Sequence, residues 1–580
     1  MTPPRPRPDV APDAPDYGPA DARAAGTGEG AGLSTGGATA SAAPASTAPA
    51  TTAVASGGAT AVGLRPRRFT RTRRAFRAVR AARAPKAPRT PVRWTRADTF
   101  VFAILAMLAA VSRFVGLTRP TDNGTPIFDE KHYVPQAWQI LRSAADPVAG
   151  GIEDNPGFGL VVHPPVAKQI IAIGEWLFGY TPLGWRFMSA VAGVLVVLAV
   201  MDITRRLSRS TQAAAIAGVL AIADGVLFVS SRVGMLDMIQ TVFIVGAAWA
   251  LTVDRDSVAR RLAAAPPAAT PLSDALGPPL PWRWWRFAAG IMLGLALGVK
   301  WSGLYYMAAF GLLSVFADLV DRRRAGAGKP TLGALARDTL PALGHIVAVP
   351  LGVYLLSWRS WFAEETSVYR HIGPAERDTG IPGTGWLPES IQNWLHYQRG
   401  VLEFHGSLTT SGGHEHPWES KPWDWLWSGR PMLYYSTETT CLGGQDCKGW
   451  LMLFGTPPIW WLLVPVMLWA LLRWVVLADG RFAVPVVGFL ASWVPWVIGH
   501  DRQMYFFYAT ALIPFVLVAL AIIVDDVSRW RPRGLSVGLG LATSYMVLVV
   551  LAFGFWLPIM TGVPLPEEHF NWWLWLPSWR

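Results

Sequence analysis

The sequence predicts an all-α polytopic membrane protein with about eleven transmembrane helices and two large extracytoplasmic loops. Three features of the 580-residue chain support this fold class. Hydrophobic residues make up 52% of the chain and charged residues only 16%, which is less charge than a soluble protein of this size carries. Apolar runs of ~20 residues recur along the chain. Its 30 tryptophans suit membrane–water interfaces, where the indole ring is favoured.

Residues 1–97 are predicted to form a disordered tail that ends in a basic cytoplasmic arm. The first sixty residues are rich in Pro, Ala, Thr, Gly and Ser and lack the apolar side chains of a packed core. Thirteen Arg and Lys lie between positions 65 and 96. Next to a first span, such a cluster indicates an anchor to anionic lipid headgroups. The net charge of +12 therefore predicts a membrane partner, and no nucleic acid.

The apolar runs also predict which side of the membrane each loop occupies. The connections near 205–210, 321–329 and 528–534 are rich in arginine and are expected inside the cell. The loops 118–182 and 358–449 are acidic or aromatic and are expected outside, with the N-terminus cytoplasmic. The predicted spans are 98–117, 183–203, 211–230, 233–252, 286–301, 303–320, 339–357, 450–473, 482–499, 503–524 and 535–557.

Two segments of the first outer loop have helical patterns that are too short and too polar to span. Residues 164–178 predict an amphipathic helix on the membrane surface, with Lys168 and Glu175 pointing away from its apolar face. Residues 131–144 show a weaker pattern of the same kind. The apolar face of the first of these helices consists of Val166, Ile170, Ile173 and Leu177.

Both cysteines of the chain, Cys441 and Cys447, fall in the second outer loop. An extracytoplasmic compartment permits disulfides, and the intervening LGGQD contains glycines that allow so short a loop to close. The sequence therefore predicts a disulfide between them, although two free thiols in an irregular loop would give the same pattern.

Asp129 and Glu130 form an acidic pair in the segment FDEKHY of the first outer loop. A positioned carboxylate can act as a general base, so the pair is a candidate catalytic site. Carboxylates also stabilise helix N-termini, and the pair alone is equally typical of a helix start.

A candidate anion site is indicated by Arg232, which lies between two apolar runs near the outer face. A guanidinium pairs well with phosphate oxygens, although an arginine there could also extend to the lipid headgroups. His163 and Lys168, in HPPVAK, are further candidates for a polar headgroup. Lys300 can be interpreted as a cation extending to the interface, and Tyr505 and Tyr508 as members of an interfacial aromatic belt.

The second outer loop contains polar groups beside flat aromatic rings, an arrangement that suits a sugar or an extended peptide. Weak candidates for such contacts are His132, Tyr133, His416, Glu419 and Trp423. The segment HEH does not predict a metal site, because no motif supplies a third and a fourth ligand. The sequence indicates no required cofactor and leaves a divalent cation open.

Six segments together resemble the protein O-mannosyltransferase family, in its actinobacterial branch. In order they are FDEKHYVPQAW, HPPVAKQIIAIGEWLFG, SSRVGMLDMIQTVF, GVKWSGLYY, HPWESKPWDWLWSGRPMLYY and MYFFYATALIPF, and the resemblance covers residues 95–580. It implies that residues 98–580 form a transmembrane catalytic domain with the glycosyltransferase fold called GT-C. It also implies transfer of mannose from a polyprenyl phosphate mannose to Ser or Thr of a protein. The second outer loop is too short for the soluble domain that eukaryotic members carry there.

The resemblance assigns roles to the candidate residues. The family's essential carboxylates fall on Asp129 and Glu130, and its phosphate-binding arginine falls on Arg232. We expect Asp129 to be the base and Glu130 to orient the loop or the acceptor, although the two roles could be exchanged. Lys168 and His163 are expected to help hold the donor phosphate. One base without a covalent sugar intermediate predicts an inverting single displacement.

The implied partners are the donor lipid, the bilayer and Ser/Thr-containing proteins, met at the secretion translocon. The implied location is a bacterial cell membrane, with the active site outside.

Two alternative functions remain open on the residues alone. The acceptor could be a lipid or a glycan, which the segment HPWESKPWDW disfavours. A transporter is a further alternative, but the sequence shows no internal repeat and no polar groups at mid-membrane.

Overall fold

The computed structural model describes residues 92–580, apart from 145, 147, 158, 265–274, 278–279, 281, 415 and 442–443. Most of the predicted tail, residues 1–91, lies outside the described residues. The rest is mostly helical, as predicted. The main helices are α1 (Arg96–Phe114), α2 (Glu130–Ala144), α3 (Val166–Phe178), α4 (Pro182–Ser208), α5 (Thr211–Ile222), α6 (Gly225–Ser230), α7 (Leu236–Ala264), α8 (Trp284–Val299), α9 (Gly303–Arg324), α10 (Pro330–Arg337), α11 (Thr339–Ser357), α12 (Glu389–Ser407), α13 (Pro457–Val475), α14 (Gly480–Ile498), α15 (Ile513–Ser528) and α16 (Val537–Thr561).

Among the described residues, eight helices are long and apolar enough to cross a membrane: α1, α4, α7, α9, α11, α13, α14 and α16. The shorter apolar helices α5 and α8 occupy two more of the predicted spans. A multi-pass membrane protein is therefore confirmed, while the count of eleven spans stays a prediction.

One predicted span, 211–230, is interrupted. Helix α5 ends at Ile222, and α6 begins at Gly225 with Asp224 as its N-cap. The Asp224 carboxylate accepts hydrogen bonds from the Leu227 N–H (2.9 Å) and the Trp460 indole N–H (2.7 Å). A carboxylate that caps a helix start satisfies backbone donors that would otherwise lie unpaired in the core. The chain is therefore redirected here without leaving the buried core.

The predicted span 450–473 is wrong at its beginning. Residues Asp446–Leu453 form strand β2, and the helix starts only at Pro457. Strand β2 pairs with β1 (Met432–Thr440) and β3 (Leu565–Pro566) in an antiparallel sheet of order β1-β2-β3. The C-terminal half of β2 is buried and mostly apolar. Hydropathy alone cannot distinguish such an apolar run from the start of a helix. The prediction of an all-α chain missed this small sheet.

The two surface helices lie where the sequence predicts them, but the charged residues of α3 are buried in the protein. Lys168 and Glu175 of α3 are both fully buried in the protein, whereas Leu177 is exposed. Burial raises the pKa of Glu175 to about 9, so that this carboxyl is neutral near pH 7. Both side chains point away from the apolar face of α3, as predicted, but into the protein, because the exposed part of the helix is apolar. That face suits contact with lipid.

Buried ion pairs join the helices at the end of the bundle where α1 begins. The Arg205 guanidinium of α4 donates to Asp98 of α1 at 2.6 Å, and the Thr211 hydroxyl of α5 bonds to the same carboxylate at 2.7 Å. Arg322 and Asp338 form a comparable pair at 2.6 Å. Arginines predicted to act only as topology signals are thus also paired inside the fold.

The predicted disulfide is present, since Cys441 and Cys447 are bonded across the tip of the β1–β2 hairpin. The chain has only these two cysteines, so the oxidised protein should expose no reactive thiol. Maleimide labelling followed by mass spectrometry should add no label before reduction and two labels after it. The variant Cys441→Ser should accept one label without reduction. Two labels on the unreduced wild-type protein would contradict the pairing.

Candidate active site

The acidic pair lies at the start of α2, in a turn whose shape separates the two carboxylates. Phe128 has a left-handed backbone conformation (φ 48°), and α2 begins two residues later at Glu130. The Glu130 carboxylate reaches back to accept a hydrogen bond from the Ile127 N–H at 3.0 Å. The Glu130 carboxylate therefore closes the turn from the inside, and the Asp129 carboxylate stays at the edge of the turn.

Glu130 is fully buried and fully hydrogen-bonded. Its two oxygens accept from Arg186 Nε (2.7 Å) and Nη2 (2.8 Å) in a bidentate pair. The Gly234 N–H donates to the same carboxylate at 2.7 Å. With the Ile127 bond, these contacts connect α2, α4 and the turn before α7. The predicted part of Glu130 in orienting the loop agrees with these contacts, whereas a direct contact with a substrate does not.

Asp129 is only partly buried, and its surroundings differ from those of Glu130. The Tyr133 hydroxyl hydrogen-bonds to it from the next turn of α2. Burial raises the pKa of Asp129 to about 6; Lys300 opposes this increase, the negative charge of Asp237 adds to it, and the Tyr133 hydrogen bond opposes it. A carboxyl with a pKa near the ambient pH is a stronger base than an ordinary aspartate and still ionises.

Lys300 and Asp237, the two charged neighbours of Asp129, line a cavity of about 410 Å³. Lys300 Nζ lies 2.8 Å from an Asp237 oxygen, and the ammonium also sits 5.5 Å from the centre of the Phe507 ring. The wall adds cationic and aromatic groups, so the cavity can receive an anion beside flat rings. Besides Asp237 and Lys300, residues that line it include His163, Gln240, Trp301, Tyr305, His405, Trp496, Arg502 and Tyr508.

Of the predicted phosphate ligands, only His163 lines this cavity. Its backbone is left-handed (φ 68°), and its ring stacks on His405 with centroids 5.0 Å apart. Burial lowers the pKa of both rings, that of His405 to about 4, so both imidazoles are neutral near pH 7. They can donate or accept hydrogen bonds but add no charge.

Lys168 and Arg232 have other partners. The Lys168 ammonium donates to the backbone carbonyls of Val162 (2.7 Å) and His163 (2.9 Å), and so holds the turn that presents the His163 ring. The Arg232 guanidinium donates to the carbonyls of Ser112, Arg113, Val115 and Gly116 at 2.8–3.1 Å. It thereby closes the C-terminal end of α1, where helix carbonyls lack partners. Neither side chain lines the cavity, and each is bound to backbone carbonyls, so these contacts do not support the predicted phosphate-binding role of either one.

The five weaker candidates have different surroundings. Tyr133 is at the site through its bond to Asp129, and His416 lies edge-on to Tyr505 at 5.4 Å. His132 instead approaches Asn155 at 3.4 Å, and Trp423 packs near His500. The remaining candidate, Glu419, pairs with Lys421 at 2.6 Å. Among the described residues, no group of three His, Cys, Asp or Glu side chains is arranged to hold a metal ion.

Sequence reasoning missed the roles of Lys300, Asp237, Arg502 and Arg186. Lys300 and Asp237 each stand alone at the end of an apolar run that is predicted to face outside, 63 positions apart. Two lone opposite charges at the same membrane depth are a usable signal for a pair, because neither is stable there alone. Arg186 likewise opens a span on the side where arginine is not expected.

The Glu130–Arg186 pair should be a requirement of folding. Replacing Arg186 by Ala leaves a buried carboxylate without its counter-charge, which typically costs ~3–5 kcal/mol. Thermal unfolding in detergent or nanodiscs should show a clearly lower midpoint for Arg186→Ala, while Asp129→Asn, one residue from Glu130, should unfold near the wild-type temperature. Equal midpoints for all three proteins would contradict this role.

Comparisons with known proteins agree with the geometry. Two family models match: "Dolichyl-phosphate-mannose-protein mannosyltransferase" over residues 183–329, and "C-terminal four TMM region of protein-O-mannosyltransferase" over residues 390–579. The polyprenol-phosphate-mannose–protein mannosyltransferase of Corynebacterium glutamicum is 52% identical over 84% of this chain and 95% of its own length. The enzyme of that name from Mycobacterium tuberculosis is 45% identical over 83% and 91%.

A solved structure shows the same fold at much lower identity. The Saccharomyces cerevisiae protein O-mannosyltransferase Pmt1–Pmt2 complex bound to the sugar donor aligns with a TM-score of 0.62. The alignment covers 84% of this chain and 93% of that one at 15% identity, so it shows the fold alone. The predicted GT-C fold is confirmed, and the chain belongs to the protein O-mannosyltransferase family.

Proposed function

We propose that the protein transfers mannose from a polyprenyl phosphate mannose to Ser or Thr hydroxyls of secreted or membrane proteins. The reaction takes place at the extracytoplasmic face of a bacterial cell membrane. The observation that carries the proposal is Asp129, a carboxyl with a raised pKa whose charged neighbours, Lys300 and Asp237, line a cationic, aromatic cavity. The acceptors are met as they cross or leave the membrane, at the secretion translocon.

Asp129 acts as the general base in this proposal. A hydroxyl of the acceptor gives its proton to the Asp129 carboxylate while its oxygen attacks the anomeric carbon of mannose. The bond between that carbon and the phosphate oxygen breaks, and polyprenyl phosphate leaves with the electron pair. A single displacement inverts the anomeric carbon. The proposal needs no carboxylate nucleophile: the Glu130 carboxylate is bound to Arg186, and Asp237 pairs through one oxygen with Lys300.

Lys300 and Arg502 replace Arg232 and Lys168 as proposed phosphate ligands. An ammonium has three donors, and the contact with Asp237 uses one of them. Arg502 donates to the His405 carbonyl and contacts His405 Nδ1 at 3.1 Å, which fixes the guanidinium in the cavity wall. Positive charges placed in advance stabilise the charge that develops on the leaving phosphate.

The lipid tail has an apolar exit from the same cavity. Leu304 and Leu402 line the cavity and are 53% and 62% exposed in the protein, so they face the surroundings of the bundle. Tyr305 lies beside them and is also exposed. In a membrane such a mouth opens to lipid, which lets an isoprenoid chain remain in the bilayer while its phosphate enters.

The variant Asp129→Asn should transfer mannose at least ~100-fold more slowly, because a carboxamide cannot take the hydroxyl proton. The measurement is transfer from radiolabelled polyprenyl phosphate mannose to a Ser/Thr/Pro-rich peptide in membranes, at matched protein levels. For the wild type, kcat/KM should be constant above about pH 7 and fall roughly tenfold per pH unit below the Asp129 pKa of about 6. Near-normal transfer by Asp129→Asn would refute the assignment.

The variant Arg502→Gln should raise the KM for the donor by a factor on the order of ten to a hundred, because it removes a charged hydrogen bond to phosphate. The KM for the peptide should change little. Arg359→Gln is the matched control, since Arg359 is an exposed arginine of the second outer loop that does not line the cavity. Unchanged donor dependence in Arg502→Gln would move the phosphate site elsewhere.

A further inference from the structure

Strand β1 has a free edge. It pairs along its length with β2 on one side, and β2 is the central strand of the sheet. Within the described part of the chain, no other strand or bridge pairs with the opposite side of β1. Its outer half is exposed, including Ser436, Glu438, Thr439 and Thr440. The edge therefore carries a row of backbone donors and acceptors toward the outside.

The inner end of β1 lies at the candidate active site. Tyr434 stacks on Phe128, the residue before Asp129, with ring centroids 4.8 Å apart and planes 25° apart. Tyr434 is also the extra residue of a β-bulge, because the register shifts between Leu433 and Tyr435. Bulges near active sites redirect a side chain, and this one places Tyr434 against the turn that carries Asp129.

Strand β1 is long enough and sufficiently fixed to hold an extended peptide. From Tyr434 to Thr440 it spans about 20 Å at the usual rise of a β-strand. Its outer end is closed by the Cys441–Cys447 disulfide, and Glu438 pairs across the hairpin with Lys448 at 3.3 Å. Natural proteins usually cover or blunt an edge of this length. This edge is left free, while its polar side chains keep it compatible with water.

We propose that an extended segment of the acceptor polypeptide adds to the free edge of β1 as a fourth strand and so brings its Ser or Thr hydroxyl to Asp129. The inference rests on the proposed function and deepens it. Strand addition binds through the main chain, so it accepts many sequences and selects an extended conformation. Proline is tolerated at every second position, where the N–H would point away from β1.

The test is a scan of N-methylated acceptor peptides. One backbone N–H at a time is methylated along six residues on each side of the acceptor Ser, and kcat/KM is measured with polyprenyl phosphate mannose as donor. On the side that pairs with β1, methylation at every second position should reduce kcat/KM about three- to tenfold, and the positions between should change it little. A profile without this alternation on either side would overturn the inference. Absence of transfer to the unmodified peptide would instead overturn the proposed function.

A second measurement locates the peptide on the protein. Glu438 is replaced by the photo-crosslinker p-benzoylphenylalanine, and the control carries it at Trp386, which is 82% exposed in the same outer loop. The unmodified acceptor peptide should cross-link at position 438 and be displaced by excess peptide, with little cross-linking at 386. Equal cross-linking at both positions would contradict docking on β1.

Discussion

The buried ion pair between Glu130 and Arg186 is the interaction on which the candidate site depends. It joins the start of α2 to α4, and the same carboxylate accepts from Gly234 in the turn before α7. Arg186 also donates to the carbonyl of Leu117, just beyond α1. Arg232, two residues before Gly234, donates to the carbonyls at the C-terminal end of α1. Charges so buried are stable only when every partner is present, which fixes the loop that carries Asp129.

In the proposed mechanism, the two neighbouring carboxylates differ in role because their surroundings differ. The oxygens of Glu130 have no remaining capacity for a substrate, whereas Asp129 is partly open and faces opposing charges. Burial and Asp237 raise its pKa, while Lys300 limits the increase. The same lysine is available to a phosphate in the adjoining cavity. The proposed base and the proposed phosphate ligands are thus linked electrostatically, since Lys300 acts on Asp129 and also lines the cavity.

The sequence predicted what depends on local pattern and missed what depends on distant partners. The apolar runs located most spans, since a membrane requires long apolar segments whatever the tertiary fold. The same pattern wrongly assigned the end of strand β2 to a span, because the apolar segment WLMLF continues toward a helix without a clear change in hydropathy. Family resemblance identified Asp129 and Glu130. It did not separate them, because Arg186 lies 56 positions from Glu130. The resemblance assigned Arg232 to the donor phosphate, with Lys168 as a helper, but their carbonyl partners could be found only in the folded chain.

The most direct test of this division between the carboxylates is a structure with both substrates bound. The protein would be solved with a non-transferable analogue of polyprenyl phosphate mannose and a Ser-containing peptide. We expect the Ser hydroxyl within hydrogen-bond distance of the Asp129 carboxylate, the phosphate against Lys300 and Arg502, and the Glu130–Arg186 pair unchanged. A complex in which Glu130 has left Arg186 and contacts the hydroxyl would contradict the proposed roles.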